Sequence, residues 1–127
     1  MAKIVLVVDD SPTARMFVQR CLVISKKFPD VAYLEASDGK EALAILNAKL
    51  SEIVAVFTDL NMPNMDGESL YKHMKASPRM HDIPVVVVSS AGNPAKEQAL
   101  RDIGVKAVIK KPISPAQLSA ALNILGL

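Results

Sequence analysis

Five short runs of apolar, mostly β-branched residues alternate along the chain with longer segments of helical periodicity. The segments between the runs are long enough for each to contain a crossover helix that joins parallel strands. Runs such as VVVV are continuously apolar, which is typical of parallel strands covered on both faces. The predicted strands are Ile4–Val8, Val31–Ala36, Ile53–Thr58, Val85–Ser89 and Lys106–Ile109.

Helix-capping residues mark the starts of the intervening helices. Ser11-Pro12 combines an N-cap serine with proline at the first helical position. The spacing of Phe17, Cys21 and Ile24 predicts that these three residues form the buried face of the first helix. Gly67 is expected to take a positive φ in the turn before the third helix. The other helices are predicted after Asp38, over about Glu68–Lys75, over about Pro94–Asp102, and from Ser114.

This alternation of strands and helices predicts an α/β fold, with an open parallel sheet covered by helices on both faces. The length of 127 residues favours a single domain over residues 1–127. The net charge of +2 does not favour nucleic-acid binding, and no apolar run approaches the roughly 20 residues of a membrane helix. One cysteine excludes an internal disulfide and a cysteine zinc cage. We expect a cytoplasmic monomer that binds neither nucleic acid nor membrane.

Polar residues mark the carboxyl ends of the first, third, fourth and fifth predicted strands. They are Asp9-Asp10, Asp59, Ser89-Ser90 and Lys110-Lys111. Ligands of open parallel sheets bind outside the carboxyl ends of the strands, where the strand order reverses. If the order is 2-1-3-4-5, a common one for such sheets, the first and third strands are neighbours and the three acids converge.

Three clustered carboxylates repel one another unless a cation is present. Their hard oxygen ligands, without a suitable cysteine or histidine, favour Mg²⁺, which usually takes one or two protein carboxylates and keeps several waters. Single acids at strand ends are often merely solvated, but three acids with a hydroxyl and a lysine on one edge predict a site.

Four sequence segments strengthen this interpretation: VLVVDDS, FTDLNMPNMDG, PVVVVSSAG and VIKKPIS. Each is weakly diagnostic alone, but their order and spacing over nearly the whole chain resemble the response-regulator receiver family, the CheY-like phosphoacceptor domains. The resemblance implies the doubly wound, flavodoxin-like (βα)5 fold with strand order 2-1-3-4-5. It also implies Mg²⁺ as the cofactor.

The resemblance assigns roles around the acids. Asp59 matches the phosphoacceptor, a carboxylate nucleophile that forms an acyl phosphate. Asp9 and Asp10 match the acidic pair that binds the metal, with Asp10 as the direct ligand and Asp9 acting mainly through water. Asn61 matches the position that gives its backbone carbonyl to the metal, so the implied metal site comprises Asp9, Asp10, Asp59 and Asn61.

The same resemblance assigns the residues that contact the phosphoryl group and transmit the signal. Ser90 matches the hydroxyl that binds the phosphoryl group and moves on activation, and Lys111 matches the lysine that pairs with a phosphoryl oxygen. Two positions depart from the family pattern. Val108 stands where a switching Tyr or Phe is usual, so we expect a smaller rearrangement carried by the backbone. Gly92 lacks the side chain that often tunes phosphate loss, so we expect slow self-dephosphorylation.

The sequence thus predicts a phosphorelay module that receives phosphate from a histidine kinase or histidine phosphotransfer protein. Its output is expected to be binding of a downstream protein by the surface of the fourth helix, fifth strand and fifth helix, with chemotaxis as one candidate pathway. A phosphate shuttle or sink is an open alternative. A haloacid-dehalogenase-type phosphatase is disfavoured, because Asn61 stands where its second acid is required. A pseudo-receiver that works without phosphorylation is disfavoured because all the site positions are suitably filled.

Overall fold

The computed structural model describes residues 3–90 and 94–127 as alternating strands and helices. Each predicted strand is present, and its bounds agree with the sequence prediction to within one residue. Continuous burial explains this agreement, because the central strands show almost no exposed position from which a boundary could be misplaced. The strands are β1 (Lys3–Val8), β2 (Val31–Ala36), β3 (Ile53–Asp59), β4 (Val85–Ser89) and β5 (Ala107–Lys110).

Helices follow each of the strands, and residues 91–93 precede the fourth helix outside the described part. Serine or aspartate caps four of the helices, with its side-chain oxygen accepting a hydrogen bond from the backbone N–H three residues on. The helices are α1 (Pro12–Ser25), α2 (Gly39–Ala48), α3 (Gly67–Ala76), α4 (Pro94–Asp102) and α5 (Pro115–Ile124).

The five strands form one parallel sheet in the order β2-β1-β3-β4-β5. This confirms the doubly wound (βα)5 fold and its strand order. From β1 the chain first adds β2 on one side and then adds β3, β4 and β5 on the other, so the strand order reverses between β1 and β3. The carboxyl ends of these two strands are therefore the place where a ligand site is expected.

Two hydrophobic layers cover the sheet, and successive strand residues alternate between them. Leu6 and Val8 of β1 pack in the layer formed with α2, α3 and α4. Val5 and Val7 pack in the opposite layer with α1 and α5. Because both layers are apolar, the polar side chains of the strands collect at the carboxyl edge of the sheet.

The predicted buried face of α1 is wrong in two of its three residues. Cys21 is buried as expected, but its buried neighbours are Val18 and Leu22, whereas Phe17 and Ile24 are exposed. Both stripes have helical spacing and apolar character, so periodicity alone could not distinguish them. The contacts of α1 with α5 select the Val18 stripe.

No helix within residues 3–90 and 94–127 is both long enough and apolar enough to cross a lipid bilayer.

Candidate functional site

Three carboxylates meet at the carboxyl edge of the sheet. Val8 pairs with Thr58 in the register of β1 and β3, so the residues that follow these two positions lie side by side. Asp9, Asp10 and Asp59 each place one carboxylate oxygen within 4.8 Å of the other two. The strand order therefore brings together acids that are about fifty residues apart in the sequence.

The three acids differ in their contact with solvent. Asp9 and Asp59 are only 4% and 7% exposed, whereas Asp10 is exposed. A carboxylate removed from water loses hydration and needs compensation from a cation or hydrogen bonds. The cluster is thus buried on one side and open on the other, which is a suitable shape for a cation that enters from solvent and keeps some of its water.

Lys111 supplies the positive side chain that faces the cluster. Its Nζ lies 3.4 Å from Asp9 Oδ2 and 3.3 Å from Asp59 Oδ1. Its backbone N–H donates to the carbonyl oxygen of Ser89 at 2.8 Å, which anchors the end of β5 to β4. The following Lys111–Pro112 peptide bond is cis. Lys111 is therefore held by the sheet at a point from which its ammonium reaches both buried acids.

The electrostatics of the cluster are unbalanced. Burial and the neighbouring charge of Asp9 raise the pKa of Asp59 above its ordinary value, and the attraction of Lys111 only partly opposes them. Burial alone would lower the pKa of Lys111, but the charges of Asp59 and Asp9 outweigh burial and raise it. One ammonium faces three carboxylates, which leaves about two negative charges for a further cation to offset.

Asp9 is held at each of its polar groups. Ser11 donates its backbone N–H to Asp9 Oδ1 at 2.9 Å, and the backbone N–H of Asp9 donates to Ala36 at 3.0 Å. Arg15 donates from Nη1 to the carbonyl oxygen of Asp9 at 2.5 Å. The sequence prediction missed Arg15, because its contact with Asp9 is to a main-chain oxygen, which leaves no pattern of side chains in the sequence.

Gly67 fixes the loop that leaves Asp59. A Cβ atom at this position would lie 2.3 Å from the carbonyl oxygen of Asp59, so any side chain would force the loop away. The N–H of Gly67 donates to the carbonyl oxygen of Leu60 at 2.9 Å. The expectation that Gly67 takes a positive φ is wrong, because the glycines with positive φ in the described segments are Gly104 and Gly126, while Asn64 takes a φ of 64°. Close approach, not backbone chirality, requires glycine at residue 67.

The remaining predicted site residues lie on the same edge. Asn61 is exposed two residues after Asp59, and Ser90 is exposed directly after β4. Among the described residues neither side chain forms a hydrogen bond with the acids, and the roles of the Asn61 backbone carbonyl as a metal ligand and of the Ser90 hydroxyl as a phosphoryl ligand stay predictions. Gly92 and the slow dephosphorylation predicted from it lie outside the described residues.

An ion-pair cluster ties α4 to β5 on the adjoining surface. Glu97 of α4 lies 3.3 Å from Lys110 of β5 and 3.3 Å from Arg101 one helical turn further along α4. These two cations, Lys110 first, hold the pKa of Glu97 below its ordinary value. Val108, at the usual aromatic position, is half-buried and packs against the core. The side chain of Lys110 is exposed and paired on the surface, away from the acid cluster.

Comparisons with known proteins identify this arrangement. The family model for the response regulator receiver domain matches residues 5–123. A chemotaxis protein CheY homolog of Campylobacter jejuni is 34% identical over 122 residues, which are 95% of this chain and 91% of that relative.

Solved structures with the same fold include two response regulators. Bacteriophytochrome response regulator AtBRR superposes with a TM-score of 0.84 at 27% identity, covering 99% of this chain and 94% of that one. The Mn²⁺-bound form of response regulator Rcp1 gives a TM-score of 0.75 at 26% identity, covering 98% and 90%. The chain therefore belongs to the response regulator receiver family, whose members are signalling phosphoacceptors of two-component phosphorelays rather than classical enzymes.

Proposed function

We propose that this chain accepts a phosphoryl group on Asp59 from a histidine kinase or a histidine phosphotransfer protein, with Mg²⁺ as the required cation. The observation that carries the proposal is the buried carboxylate of Asp59, which shares Lys111 with Asp9 inside a cluster of excess negative charge. Such an arrangement is unfavourable for stability unless a cation completes it, and so it favours a functional site over a structural one.

The donor set fits Mg²⁺. Asp9, Asp10 and Asp59 offer oxygen ligands, and the group contains no cysteine or histidine that would favour zinc. The backbone carbonyl of Asn61 completes the set that the family resemblance implies. A bound Mg²⁺ supplies positive charge that offsets the charge of the transferring phosphoryl group. The related regulator Rcp1 is known with Mn²⁺ bound, which is consistent with a divalent site in this family.

In the transfer, a carboxylate oxygen of Asp59 attacks the phosphorus of the donor's phosphohistidine. An O–P bond forms, the N–P bond breaks, and its electron pair returns to the imidazole ring. The carboxyl group of Asp59 must be ionised to attack the phosphorus, and the positive charge of the neighbouring Lys111 favours the ionised form. The remaining contribution of the protein is to position the reactants and stabilise charge, as in other phosphoryl transfers.

After the transfer, the phosphoryl group of about two negative charges adds to those of Asp9 and Asp10. Lys111 pairs with a phosphoryl oxygen, and Ser90 donates its hydroxyl to another. Movement of Ser90 towards this group reshapes the start of α4. The Glu97–Lys110 pair links α4 to β5, so the change reaches the surface of α4, β5 and α5, where a downstream protein binds. Because Val108 has no ring to swing inward, the rearrangement is small.

Chemotaxis is the pathway that the relatives favour, since the Campylobacter jejuni relative is named a chemotaxis protein. There residues 1–127 act as one receiver domain, as a monomer in the cytoplasm and by protein contacts.

Intact-protein mass spectrometry after incubation with acetyl phosphate and Mg²⁺ tests the proposal. We expect wild type to gain one phosphoryl group, and we expect neither Asp59→Asn nor wild type in excess EDTA to do so. Asp10→Asn serves as a second variant that retains the nucleophile but weakens the cation site. An equal mass gain in Asp59→Asn would place the phosphate elsewhere, and a wild type that never gains mass would favour a pseudo-receiver.

A further inference from the structure

The side chain of Arg15 connects the end of β1 and the start of α1 to β2, twenty residues further along the sequence. From the second turn of α1, its Nη1 donates to the carbonyl oxygen of Asp9 at 2.5 Å. Its Nε donates to Glu35 Oε1 at 2.9 Å. Glu35 belongs to β2, where it pairs in register with Val7 of β1. We propose that Arg15, oriented by Glu35, is a positioning residue that presets the β1–α1 turn for cation binding.

The geometry explains why a bond to this one carbonyl matters. The carbonyl of Asp9 lies in the peptide plane that also contains the Cα of Asp10, because the six atoms of a peptide unit are coplanar. Fixing this oxygen therefore fixes the direction in which the chain enters Asp10. The side chain of Asp10 is exposed and makes no hydrogen bond or ion pair with any described residue, so no side-chain contact holds its carboxylate and the backbone sets the point from which it reaches the cluster.

Asp9 and Asp10 are thus positioned by different means. Asp9 is held through its carboxylate by Ser11 and Lys111. Asp10 is held only through the peptide that Arg15 fixes. Groups that orient a metal ligand without touching the metal typically change metal affinity by about 10–100-fold when they are removed. We infer that Arg15 contributes to cation affinity mainly by preorganising Asp10.

A purely stabilising role for the Arg15–Glu35 pair fits the exposure less well. The Arg15 side chain is 15% exposed, but that of Glu35 is 47% exposed. Ion pairs with such an exposed partner contribute little to stability. The guanidinium also has a planar fork of donors, which a lysine ammonium cannot reproduce towards two partners at fixed directions. The requirement for arginine therefore concerns direction as well as charge.

The inference rests on the proposed function, because it assigns Arg15 to the same cation site. Its test compares Arg15→Met, Arg15→Lys and Glu35→Gln with Arg20→Met, a matched control five residues further along α1 whose exposed side chain does not contact the acids. The readouts are the Mg²⁺ dissociation constant from calorimetric titration and the melting temperature in EDTA.

We expect Arg15→Met to weaken Mg²⁺ binding at least about tenfold, with a melting temperature in EDTA close to that of wild type. Arg15→Lys is expected to weaken binding too, because it keeps the charge but loses the fork. Glu35→Gln, which keeps the size of the side chain, should show a smaller loss in the same direction. Arg20→Met should bind as wild type does.

Wild-type affinity in Arg15→Met would overturn the inference. Wild-type Mg²⁺ affinity in Arg15→Lys would mean that Arg15 acts through its charge alone and not by positioning. A loss of Mg²⁺ affinity in Arg20→Met as large as that in Arg15→Met would mean that any positive charge on α1 has the same effect. If Arg15→Met does not fold, wild-type affinity in both Arg15→Lys and Glu35→Gln overturns the inference. In each of these cases, phosphorylation of wild type on Asp59 in the presence of Mg²⁺ would leave the proposed function intact. A wild type that neither binds Mg²⁺ nor accepts phosphate would overturn both the inference about Arg15 and the proposed function.

Discussion

Two consecutive lysines at the end of β5 lie in opposite environments. Lys111 turns into the acid cluster, where its ammonium contacts Asp9 and Asp59. Lys110 turns to the surface, where it pairs with Glu97 of α4. The side chain of Lys111 is 37% exposed and that of Lys110 is 52% exposed, so the larger difference lies in their partners. Lys111 contacts two buried acids, Asp9 and Asp59. Glu97, in contrast, is a single acid that contacts two cations, Lys110 and Arg101.

This difference shows how a site can be distinguished from a surface ion pair. Around Glu97 the opposite charges lie at the surface and are screened by water and salt, so the arrangement is nearly neutral for stability. Around Asp59 the charges are buried and unbalanced, so the arrangement destabilises the metal-free fold until a cation or a change of protonation compensates. We therefore expect Lys110 and Glu97 to transmit a movement of α4, and we propose that Lys111 takes part in the phosphoryl transfer.

The largest expected effect is the stabilisation of the fold by Mg²⁺, which should depend on the acid cluster and not on the ion pairs of Glu97. The ion binds the assembled acids and not the dispersed acids of the unfolded chain, so a hundredfold excess over Kd should stabilise the protein by about 2.7 kcal/mol. Thermal unfolding with and without Mg²⁺ measures this. Asp10→Ala should remove most of the effect, whereas Glu97→Ala should retain it. Equal stabilisation of wild type and Asp10→Ala would place the ion elsewhere.

The next effect compares the two lysines directly. Lys111→Met should still fold but should lose about 1–2 kcal/mol at neutral pH, less than the 3–5 kcal/mol of a fully buried pair because Lys111 is partly solvated. Lys110→Met, the same substitution one residue earlier, should change stability by no more than about 0.5 kcal/mol. Denaturant unfolding of the metal-free variants gives both values. Equal losses would mean that the two environments do not differ as described.

A smaller effect concerns pH. Burial and Asp9 raise the pKa of Asp59 above its ordinary value of 3.8, so the folded protein retains a proton that the unfolded chain has released. The stability of the metal-free protein should therefore fall as pH rises from 3.8 through the raised pKa, and the cost should persist above it. Asp59→Asn should flatten this part of the profile and raise the melting temperature in EDTA by a few degrees. A lower melting temperature in that variant would contradict the charge imbalance.

Much of the fold followed from the sequence for a physical reason. The central strands β1, β3 and β4 are buried on both faces, so their apolar runs are continuous and their limits are clear, as in VVVVS of β4. The buried face of α1 did not follow, because Phe17 and Val18 belong to two equally apolar stripes and only the contact with α5 distinguishes them.

The candidate site divides in the same way. Asp9, Asp10 and Asp59 could be predicted to converge, because strand ends share an edge and the strand order had a common precedent. Arg15 and Glu35 could not, since their contact depends on how α1 lies against β2 and since one of its partners is a backbone carbonyl. Gly67 was selected for the wrong reason, because a close approach to the Asp59 carbonyl leaves no signature in a single sequence.

The most direct test of the account follows the signal from one region to the other by backbone amide chemical shifts. Wild type and Asp59→Asn are each measured with Mg²⁺ before and after addition of acetyl phosphate. In wild type we predict shifts at Lys110 and along α4, β5 and α5, and in Asp59→Asn we predict none beyond those of Mg²⁺ alone. The claim is that phosphorylation of Asp59 changes the conformation of the α4–β5–α5 surface. Shifts confined to α1 and α2 in wild type would contradict it, and so would shifts along α4, β5 and α5 in Asp59→Asn after addition of acetyl phosphate.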